Sequence, residues 1–390
     1  MKKILYITTQ SPFETYSGGH QRSRLIFKAL CEIGKVDLVS FTNDILRKED
    51  KDSDKYSIRF FGPINTEVNQ KSLRFRNIFS LLSTDCIEPE NNFCSEIAAK
   101  IIEENEYDYI VVRYIQNALK CGITKGHKII IDVDDLPEQQ FFSVTNFKGY
   151  SFSRKIYYYL KSKVSRKYTN NILKNIHHSF LPNKEQIKFK NSSYLPNIPY
   201  PFKQNLKDDL VNITEDNSLL FIGLMSWHPN YNGVEYFLKK IFPFLLKSNP
   251  LITFNIVGKD LPGDKIKLWS KIKGVNIKGF VENINFEYNK SSVVIVPIFE
   301  GAGSNIKVLE AMKNGKTTVL SSHATRGFED YLVDGKNVFI ANNDQEFIDK
   351  TLLALSDKDL NKQIAQEAKK TISEEFSFEV FKNYINKIVN

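Results

Sequence analysis

A lysine and a glutamate three residues apart follow a glycine-rich turn in the second half of the chain. The segment EGAGSNIKVLEAMKNG (300–315) carries small residues from Gly301 to Gly303, and the predicted helix places Lys307 and Glu310 on one face. Amides at a helix N-terminus bind anions, and a first-turn lysine adds a full charge. The pattern predicts a diphosphate site beside a carboxylate for ribose hydroxyls. The alternative is an ordinary strand–turn–helix with an exposed Lys–Glu pair.

A second polar cluster, Asp132, Asp134 and Asp135, ends the apolar stretch KIIIDVDD. Strand alternation places Asp132 and Asp134 on one face and Asp135 on the other. In one interpretation Asp134 or Asp135 binds or orients an acceptor hydroxyl; in the other, these aspartates cap the next segment. Arg113 and Tyr114, at another predicted strand end, are further acceptor-side candidates, together with Asp134.

Apolar runs alternate with helical stretches through the first half of the chain. Helices are predicted over about 20–32, after the pair Gly18–Gly19, and over 93–105. The predicted strands are KILYIT (3–8), KVDLVSF (35–41), YSIRFF (56–61), YDYIVVR (107–113) and HKIIIDV (127–133). This alternation predicts a parallel sheet covered on both faces.

The alternation restarts after the Pro- and Asn-rich segment 193–205. Helices are predicted over 233–247 and 304–314, the second with Ser304 as its N-cap. The predicted strands are SLLFIG (218–223), LITFNIVG (251–258), VNIKGF (275–280), SVVIVPIF (292–299), KTTVLSS (316–322) and NVFIA (337–341). We therefore predict α/β domains at 1–200 and 217–374 that face each other across a ligand cleft. The final helix, about 375–390, is a candidate to pack back on the first domain.

The net charge of +9 is local. Between Gln139 and Lys184 there are nine basic residues and no Asp or Glu. Apolar side chains recur every four positions there, at Phe152, Ile156, Leu160, Val164, Tyr168 and Ile172. The stretch 148–174 is thus a candidate for contact with an anionic membrane surface, and the alternative is a surface helix whose stripe packs on its domain.

Other features of the chain narrow its class. No nucleic-acid motif accompanies the basic stretch, so we predict no nucleic-acid partner. No apolar run approaches the length of a membrane span, and MKKILYITT is too short and polar for a signal peptide. The four cysteines form no C-x-x-C pair, which favours free thiols in the cytoplasm.

Several longer motifs resemble one enzyme family. The segment GFVENINFEYNKSSVVIVPIFEGAGSNIKVLEAMKNGKTTVLSS (279–322) resembles the donor-binding half of the family-four glycosyltransferases, which are retaining enzymes of the GT-B architecture. FIGLMSWHPNYNGVEYFLKKIFP (221–243), SGGHQRSRLIFKAL (17–30) and SYLPNIP (193–199) are similar to its other segments. The resemblance covers nearly the whole chain and implies two Rossmann-like domains with parallel sheets.

The resemblance also implies roles for individual residues. Glu310 matches the glutamate that holds the nucleotide ribose, and Gly18 and Gly19 match a loop that closes on the donor phosphate. Gly279, Phe280 and Val281 match the segment that lies beside the nucleotide base. Gly223, at the end of the first strand of the donor-binding half, is a further donor-binding candidate. The turn and helix start that hold the diphosphate and sugar match Gly301, Ala302, Gly303, Ser304, Asn305, Ile306 and Lys307.

The chain departs from the family pattern at two places. The family often has a second glutamate where Ala302 stands, with Glu300 two residues earlier. Many members carry an Arg and a Lys in the loop that corresponds to 224–230, which here has neither. Lys307, Arg22 or Arg113 would then supply the positive charge.

The resulting hypothesis is a cytoplasmic retaining glycosyltransferase, with a candidate peripheral location at the inner face of the membrane. It would move a sugar from a nucleotide-diphosphate donor to a glycan or lipid-linked acceptor in cell-surface polysaccharide assembly. Glu310, Lys307, Asp134 and Asp135 are the catalytic candidates, and no cofactor or metal is predicted because amides and lysine can neutralise the phosphates. The alternatives are a nucleotide-sugar epimerase of the same fold and a non-catalytic nucleotide-sugar-binding protein.

Overall fold

The computed structural model describes residues 1–15, 17–47, 50, 53–64, 80–126, 128–145, 150–200, 214–301 and 303–389. The chain divides into two compact units. The N-terminal unit consists of Met1–Pro196 and Phe378–Asn390, and the C-terminal unit of Asn197–Ser377. Helices and strands are numbered below along the described residues.

The N-terminal unit is built on a parallel sheet. Its strands are β1 Lys2–Thr8, β2 Gly34–Phe41, β3 Tyr56–Gly62, β4 Tyr109–Arg113, β5 Ile129–Asp132, β6 His178–Leu181 and β7 Ser192–Tyr194. They lie in the order β3-β2-β1-β4-β5-β6-β7. Residues Ile4 to Ile7 of β1 are all fully buried, so neither face of this strand meets solvent.

Among the described residues, five α-helices lie between the strands of this sheet. They are α1 Gly18–Ile33, α2 Asn92–Glu103, α3 Ile115–Lys120, α4 Pro137–Val144 and α5 Phe152–Asn175. Helix α1 starts two residues before the predicted position because the side chain of Ser17 caps it and accepts from the amide of His20. Its buried side chains include Leu25, Ile26 and Leu30.

The C-terminal unit repeats the architecture with six parallel strands. These are β8 Ser218–Ile222, β9 Thr253–Val257, β10 Val275–Gly279, β11 Val293–Val296, β12 Thr317–Ser321 and β13 Phe339–Ala341. They lie in the order β10-β9-β8-β11-β12-β13. The accompanying helices are α6 His228–Lys240, α7 Phe242–Ser248, α8 Gly263–Trp269, α9 Ile284–Lys290, α10 Ile306–Lys313, α11 Asp344–Ser356 and α12 Lys358–Glu375.

The predicted helix over 233–247 was wrong as a single element. The structure has α6 and α7 instead, which meet at Ile241. Pro243 lies in the first turn of α7, where its missing amide hydrogen costs nothing, whereas inside a continuous helix it would remove a hydrogen bond. The predicted strands are all present, and the two parallel sheets confirm the α/β class.

The last helix, α13 Phe378–Val389, belongs to the N-terminal unit. It buries Phe381, Ile385 and Val389, and the Nζ atom of Lys382 lies 2.9 Å from a carboxylate oxygen of Glu32 on α1. The chain therefore leaves the N-terminal unit once and returns to it at the end.

Each sheet has a point where the order of strands reverses. In the N-terminal unit this point lies between β1 and β4, and in the C-terminal unit between β8 and β11. Loops that follow neighbouring strands at such a point diverge and leave a crevice at the carboxyl edge, where open α/β sheets bind ligands. The predicted site residues of both units follow strands at this edge.

Candidate active site

The turn after β11 leads directly into α10. Gly301 has a φ of +112°, and a Cβ atom there would also lie 3.1 Å from Cγ of Pro229. The predicted N-cap at Ser304 was wrong, because α10 begins at Ile306 with Asn305 in the cap position. Ser304 instead accepts a hydrogen bond of 2.7 Å from the amide of Asn197.

The start of α10 lacks an internal cap. The side chain of Asn305 makes no capping bond, and its buried Oδ1 atom has no hydrogen-bond partner among the described residues. An uncapped helix N-terminus keeps donor groups available to an anion. Ile306 is the first residue of the helix, and Gly303 lies in the turn before it. Ala302 lies outside the described residues.

Lys307 projects from the first turn of α10 towards the loop after β8. Its Nζ atom donates to Oδ1 of Asn230 and lies 5.1 Å from the ring centroid of Phe221 and 5.8 Å from that of Trp227. Burial lowers the pKa of Lys307 to about 7, although the nearby charge of Glu310 acts in the opposite direction. The ammonium group is therefore held in a site that has little to offset its charge.

Glu310 lies one turn further along α10. Burial raises its pKa, and the charges of Lys307 and Lys313 oppose this shift. Within the described residues its carboxylate has no hydrogen-bond partner and forms no salt bridge with Lys307. A ligand that brings an anion to Lys307 and hydroxyl groups to Glu310 would stabilise both charged forms.

The first turn of α6 supplies a partner for Lys307 that the sequence analysis did not identify. Asn230 accepts from Lys307 and donates to the carbonyl of Leu224 at 2.8 Å. Gly223 is required beneath it, since a Cβ atom there would lie 2.7 Å from Nδ2 of Asn230. Its position at the start of the helix that follows β8, next to the reversal point, is the sequence signal that could have identified it.

Glu300 also acquires a defined position. Its Oε1 atom accepts a 2.7 Å hydrogen bond from Asn232 and lies 3.4 Å from Nδ1 of His228. His228 thus brings an imidazole to the segment 224–230, where the sequence has neither Arg nor Lys. Glu300 and His228 are each about half exposed, with 45% of each side chain accessible.

Two further groups contact the turn from the segment after β12. Nε2 of His323 lies 3.1 Å from the carbonyl oxygen of Gly301, and Nη1 of Arg326 donates to the same oxygen at 3.3 Å. A pocket of 620 Å³ opens here, between Phe299, His323 and the start of α11. Sequence analysis missed both groups, although they follow a strand at the carboxyl edge of the sheet.

The predicted base-side segment lies at the end of β10. Gly279 has a φ of +64°, and Phe280 is 62% exposed with Nζ of Lys259 at 4.1 Å from its ring centroid. Val281 is half-buried. β10 is the outer strand on the β8 side of the sheet, so the segment shares the carboxyl edge with the Lys307 region but does not contact Lys307 among the described residues.

In the N-terminal unit, Asp132 lies at the centre of a buried charge cluster. Nε and Nη2 of Arg22 donate to its two oxygens at 3.0 and 2.5 Å, and Nη1 of Arg113 donates to Oδ2. Arg22 also donates to the carbonyls of Leu195 and Pro196. These contacts lie within the N-terminal unit, and the predicted donor-phosphate role of Arg22 stays a prediction.

Asp134 and Tyr114 both adjoin Arg113 with unusual backbone angles. Nη2 of Arg113 donates to Asp134 at 2.8 Å and to the hydroxyl of Tyr114 at 2.9 Å. Asp134 has a φ of +56° and Tyr114 a φ of +68°, conformations that non-glycine residues adopt at a cost. The predicted shared face of Asp132 and Asp134 agrees with their common partner Arg113.

Neither Asp134 nor Asp135 occupies the N-cap position of the next helix. Helix α4 begins at Pro137, with Leu136 in the cap position and no capping bond from its side chain. Gly18 and Gly19 are the first residues of α1, and a Cβ atom on Gly19 would lie 2.1 Å from Oε1 of Gln10. The roles of all four residues in catalysis or donor binding remain predictions.

The predicted apolar stripe of α5 divides into two parts. Ile172 is buried, and Val164 and Tyr168 pack partly against the core. Phe152, Ile156 and Leu160 are 80, 44 and 47% exposed. The residues that face the unit are instead Ser162, Ser165, Thr169, Ile172 and Leu173. Neither interpretation of the stripe therefore holds for the whole helix, and 148–149 lie outside the described residues.

A cluster of metal-binding side chains and a membrane-spanning helix are both absent from the described residues. These residues contain no group of three or more His, Cys, Asp or Glu side chains that could hold a metal ion. None of the helices seen in the structure has the length and apolar character to cross a bilayer. All four cysteines are free, as predicted.

The amino-acid sequence is similar to that of one protein family and to individual known proteins. Residues 216–357 match the family described as Glycosyl transferases group 1. An uncharacterized 44.6 kDa protein in the cps region of Klebsiella pneumoniae is 25% identical over 366 residues, which cover 89% of each chain.

Solved structures share the fold over the whole chain. Sucrose-phosphate synthase from Thermosynechococcus elongatus has a TM-score of 0.70 at 13% identity, covering 100% of this chain and 98% of its own. Anabaena HepE in complex with UDP and glucose has a TM-score of 0.64 at 14% identity, covering 99% of each chain.

Proposed function

We propose that this chain, which has the GT-B fold and matches the Glycosyl transferases group 1 family over residues 216–357, is a glycosyltransferase. It moves a sugar, with retention of configuration, from a nucleotide-diphosphate donor to a glycan or lipid-linked acceptor. The product contributes to a cell-surface polysaccharide. The relative in the cps region supports this pathway, and the HepE complex with UDP and glucose supports the donor class.

The observation that carries the proposal is the pair Lys307 and Glu310, which form no salt bridge with each other although they lie on one face of α10. Both groups are half-buried on one face of α10, and this burial lowers the pKa of the lysine and raises that of the glutamate. A nucleoside diphosphate offers what each lacks: phosphate oxygens to Lys307 and ribose hydroxyls to Glu310. An ordinary surface Lys–Glu pair would be solvated and would shift neither pKa in this way.

The chemistry requires charge stabilisation more than a strong acid or base. The bond between the anomeric carbon and the diphosphate oxygen breaks, so negative charge accumulates on the diphosphate. The uncapped start of α10 and the ammonium of Lys307 stabilise that charge without reorganising. Asn230 holds the Lys307 side chain in position before the donor arrives.

Helix α5 supports a second part of the proposal, contact with an anionic membrane surface. Its first half exposes Phe152, Ile156 and Leu160, while the helix contains basic residues and no acidic ones. Each basic residue near such a surface contributes about 1 kcal/mol, and exposed apolar side chains add burial in the interface. A lipid-linked acceptor would be reached from this position.

The test of the donor site is calorimetric titration with UDP, GDP, ADP and CMP. We expect selective binding of one nucleotide, and Glu310→Gln should weaken it about 10- to 100-fold, the value of hydrogen bonds to a charged group. Glu374→Gln on α12 makes the same chemical change at an exposed position and should bind like the wild type.

Turnover separates the enzyme from a binding protein. Release of free nucleotide from the selected nucleotide-sugar should fall at least about 100-fold in Glu310→Gln. Well-folded wild-type protein that binds none of the four nucleotides would refute the donor site. Binding without nucleotide release, with any acceptor extract, would refute the transferase.

A further inference from the structure

Trp227 exposes a large aromatic ring beside the proposed donor site. The chain has two tryptophans, and Trp269 is buried whereas Trp227 is 40% exposed. The indole N–H of Trp227 donates to no other group among the described residues. The end of the loop after β8 therefore presents an apolar face and an available donor at the carboxyl edge of the sheet, where open α/β sheets bind ligands.

Backbone hydrogen bonds fix the position of Trp227. Its amide donates to the carbonyl of Leu224 at 3.3 Å, and its carbonyl accepts from the amides of Asn230 and Tyr231 at 3.0 and 3.2 Å. Trp227 occupies the N-cap position of α6 without making a side-chain capping bond. Substitution of its side chain should therefore leave the start of α6 in place, together with Asn230, the partner of Lys307.

The indole ring of Trp227 adjoins both Lys307 and the glycine turn. The ring centroid lies 5.8 Å from Nζ of Lys307. A Cβ atom on Gly301 would lie 3.5 Å from Cη2 of the ring and 3.1 Å from Cγ of Pro229. Because Gly301 lacks that atom, the backbone of the turn passes close to the edge of the ring. Trp227 thus borders the space in which the diphosphate is proposed to bind.

The order of groups in a nucleotide-sugar indicates which of them meets Trp227. The diphosphate lies in the middle, with the ribose on one side and the transferred sugar on the other. Glu310 lies about 4.5 Å beyond Lys307 along the axis of α10, whereas the Gly301 turn precedes the helix. With the ribose at Glu310 and the phosphates at Lys307, the sugar lies on the opposite side, towards the turn and Trp227.

The chemistry of an indole fits a sugar ring. The flat face of an aromatic ring packs against the C–H groups of a pyranose, and the indole N–H donates to a hydroxyl group. The same face attracts a cation, and the transferred sugar becomes cationic as its bond to the diphosphate breaks. The negative face of the ring repels phosphate oxygens, which Lys307 and the start of α10 attract instead.

We propose that Trp227 binds the transferred sugar of the donor, ring against ring, and thereby contributes to the choice of that sugar. The proposal rests on the proposed glycosyltransferase function and adds a specificity-determining residue to its donor site. All the residues that carry it belong to the C-terminal unit, so it does not depend on how the acceptor binds.

Matched pairs of ligands separate the sugar from the nucleotide. The experiment is titration calorimetry of the full chain with UDP, GDP and ADP, each compared with UDP-glucose, UDP-galactose and UDP-N-acetylglucosamine, GDP-mannose or ADP-glucose. For the pair that binds, we expect Trp227→Ala to raise the ratio of the Kd of the nucleotide-sugar to the Kd of the nucleotide about 3- to 10-fold, the value of an aromatic contact. Trp227→Phe keeps an aromatic face and should leave the ratio close to that of the wild type, whereas Trp227→Leu should raise it.

Two controls separate this contact from general damage. Phe244→Ala removes a 55% exposed aromatic ring from α7 of the same unit and should change neither Kd. The fluorescence that Trp227→Phe lacks relative to the wild type belongs to Trp227, because Trp269 is the other tryptophan. This fluorescence should change more with the nucleotide-sugar than with the nucleotide.

The outcomes keep this proposal apart from the donor site itself. Equal losses of affinity for nucleotide and nucleotide-sugar in Trp227→Ala leave the ratio unchanged; they overturn the sugar contact while the donor site stands. A ratio that Trp227→Leu keeps at the wild-type value shows that bulk rather than an aromatic face matters, and this also overturns the proposal. Well-folded protein that binds none of these ligands refutes the donor site and the sugar contact together.

Discussion

At the scale of single residues, the proposed donor site depends on two half-buried charged groups, Lys307 and Glu310. Lys307 faces the amide oxygen of Asn230 and two aromatic rings, and no carboxylate among the described residues forms a salt bridge with it. Burial makes the charged form of Lys307 less stable in the free protein, and its pKa is lowered for this reason. A bound diphosphate would stabilise the charged form of Lys307, because its negative charge would lie beside the ammonium group.

Donor binding should therefore depend on pH through Lys307. The free pKa is about 7 and the bound diphosphate raises it, so binding takes up a proton between these two pKa values. We expect the affinity of the selected nucleotide to fall about tenfold per unit between pH 7.5 and 9, where the terminal phosphate is already fully ionised. Titration calorimetry at constant ionic strength measures this slope.

Lys307→Arg is the control for this prediction. Arginine stays protonated over the whole range, so the affinity of this variant should not change with pH. Calorimetry in two buffers of different ionisation enthalpy should detect proton uptake in the wild type only. A wild-type affinity that is flat above neutral pH would show that Lys307 does not contact the phosphates.

At the scale of elements, one part of α5 is packed against the protein and the other part exposes apolar side chains to solvent. From Ser162 onward it packs on the N-terminal unit, and Ser162 donates to the carbonyl of Glu138 at 2.9 Å. Its first half leaves Phe152 and Leu160 exposed. Small residues at the packed face allow close approach to α4, and the larger apolar residues consequently point elsewhere.

Charge reversal on α5 tests the proposed contact with an anionic membrane surface. Lys163→Glu with Lys167→Glu should weaken binding to vesicles of phosphatidylglycerol and phosphatidylcholine at least about tenfold, since each basic residue contributes about 1 kcal/mol. Vesicle sedimentation measures the bound fraction. Lys362→Glu with Lys370→Glu on α12 changes the net charge equally and should have little effect. Equal losses in both variants would point to net charge alone and contradict a specific role for α5.

At the scale of the whole molecule, both ends of the chain stabilise the same unit. Helix α13 places Phe381 and Ile385 in the core of the N-terminal unit, and Phe381 lies beside the guanidinium of Arg22 with its ring centroid 5.9 Å away. The C-terminal unit ends at Ser377, only four residues before Phe381.

Phe381→Ala should consequently destabilise the N-terminal unit. Loss of a fully buried phenylalanine costs about 3–5 kcal/mol. Hydrogen exchange should accelerate in β1 and α1 and stay unchanged in β8 and β11. Asn383→Ala, at an exposed position of the same helix, should exchange like the wild type. Faster exchange confined to the C-terminal unit would contradict the assignment of α13.

The sequence predicted well those features that depend on residues close together along the chain, such as strands and helix faces. Apolar runs predicted the strands because parallel strands are buried on both faces, and helical spacing placed Lys307 and Glu310 on one side of α10. The family resemblance of 279–322 covered the same region. The N-cap of α10 and the break between α6 and α7 were missed, since cap geometry depends on backbone angles that residue types alone do not fix.

The remaining features were decided by the tertiary structure. Asn230 meets Lys307 across 77 residues of chain because β8 lies next to β11 at the reversal point of the sheet. Asp44 meets His20 because β2 lies next to β1, and Arg22 reaches Asp132 across 110 residues. Such contacts depend on the order of strands, which is a property of the folded sheet, so the spacing of residues along the chain could not reveal them.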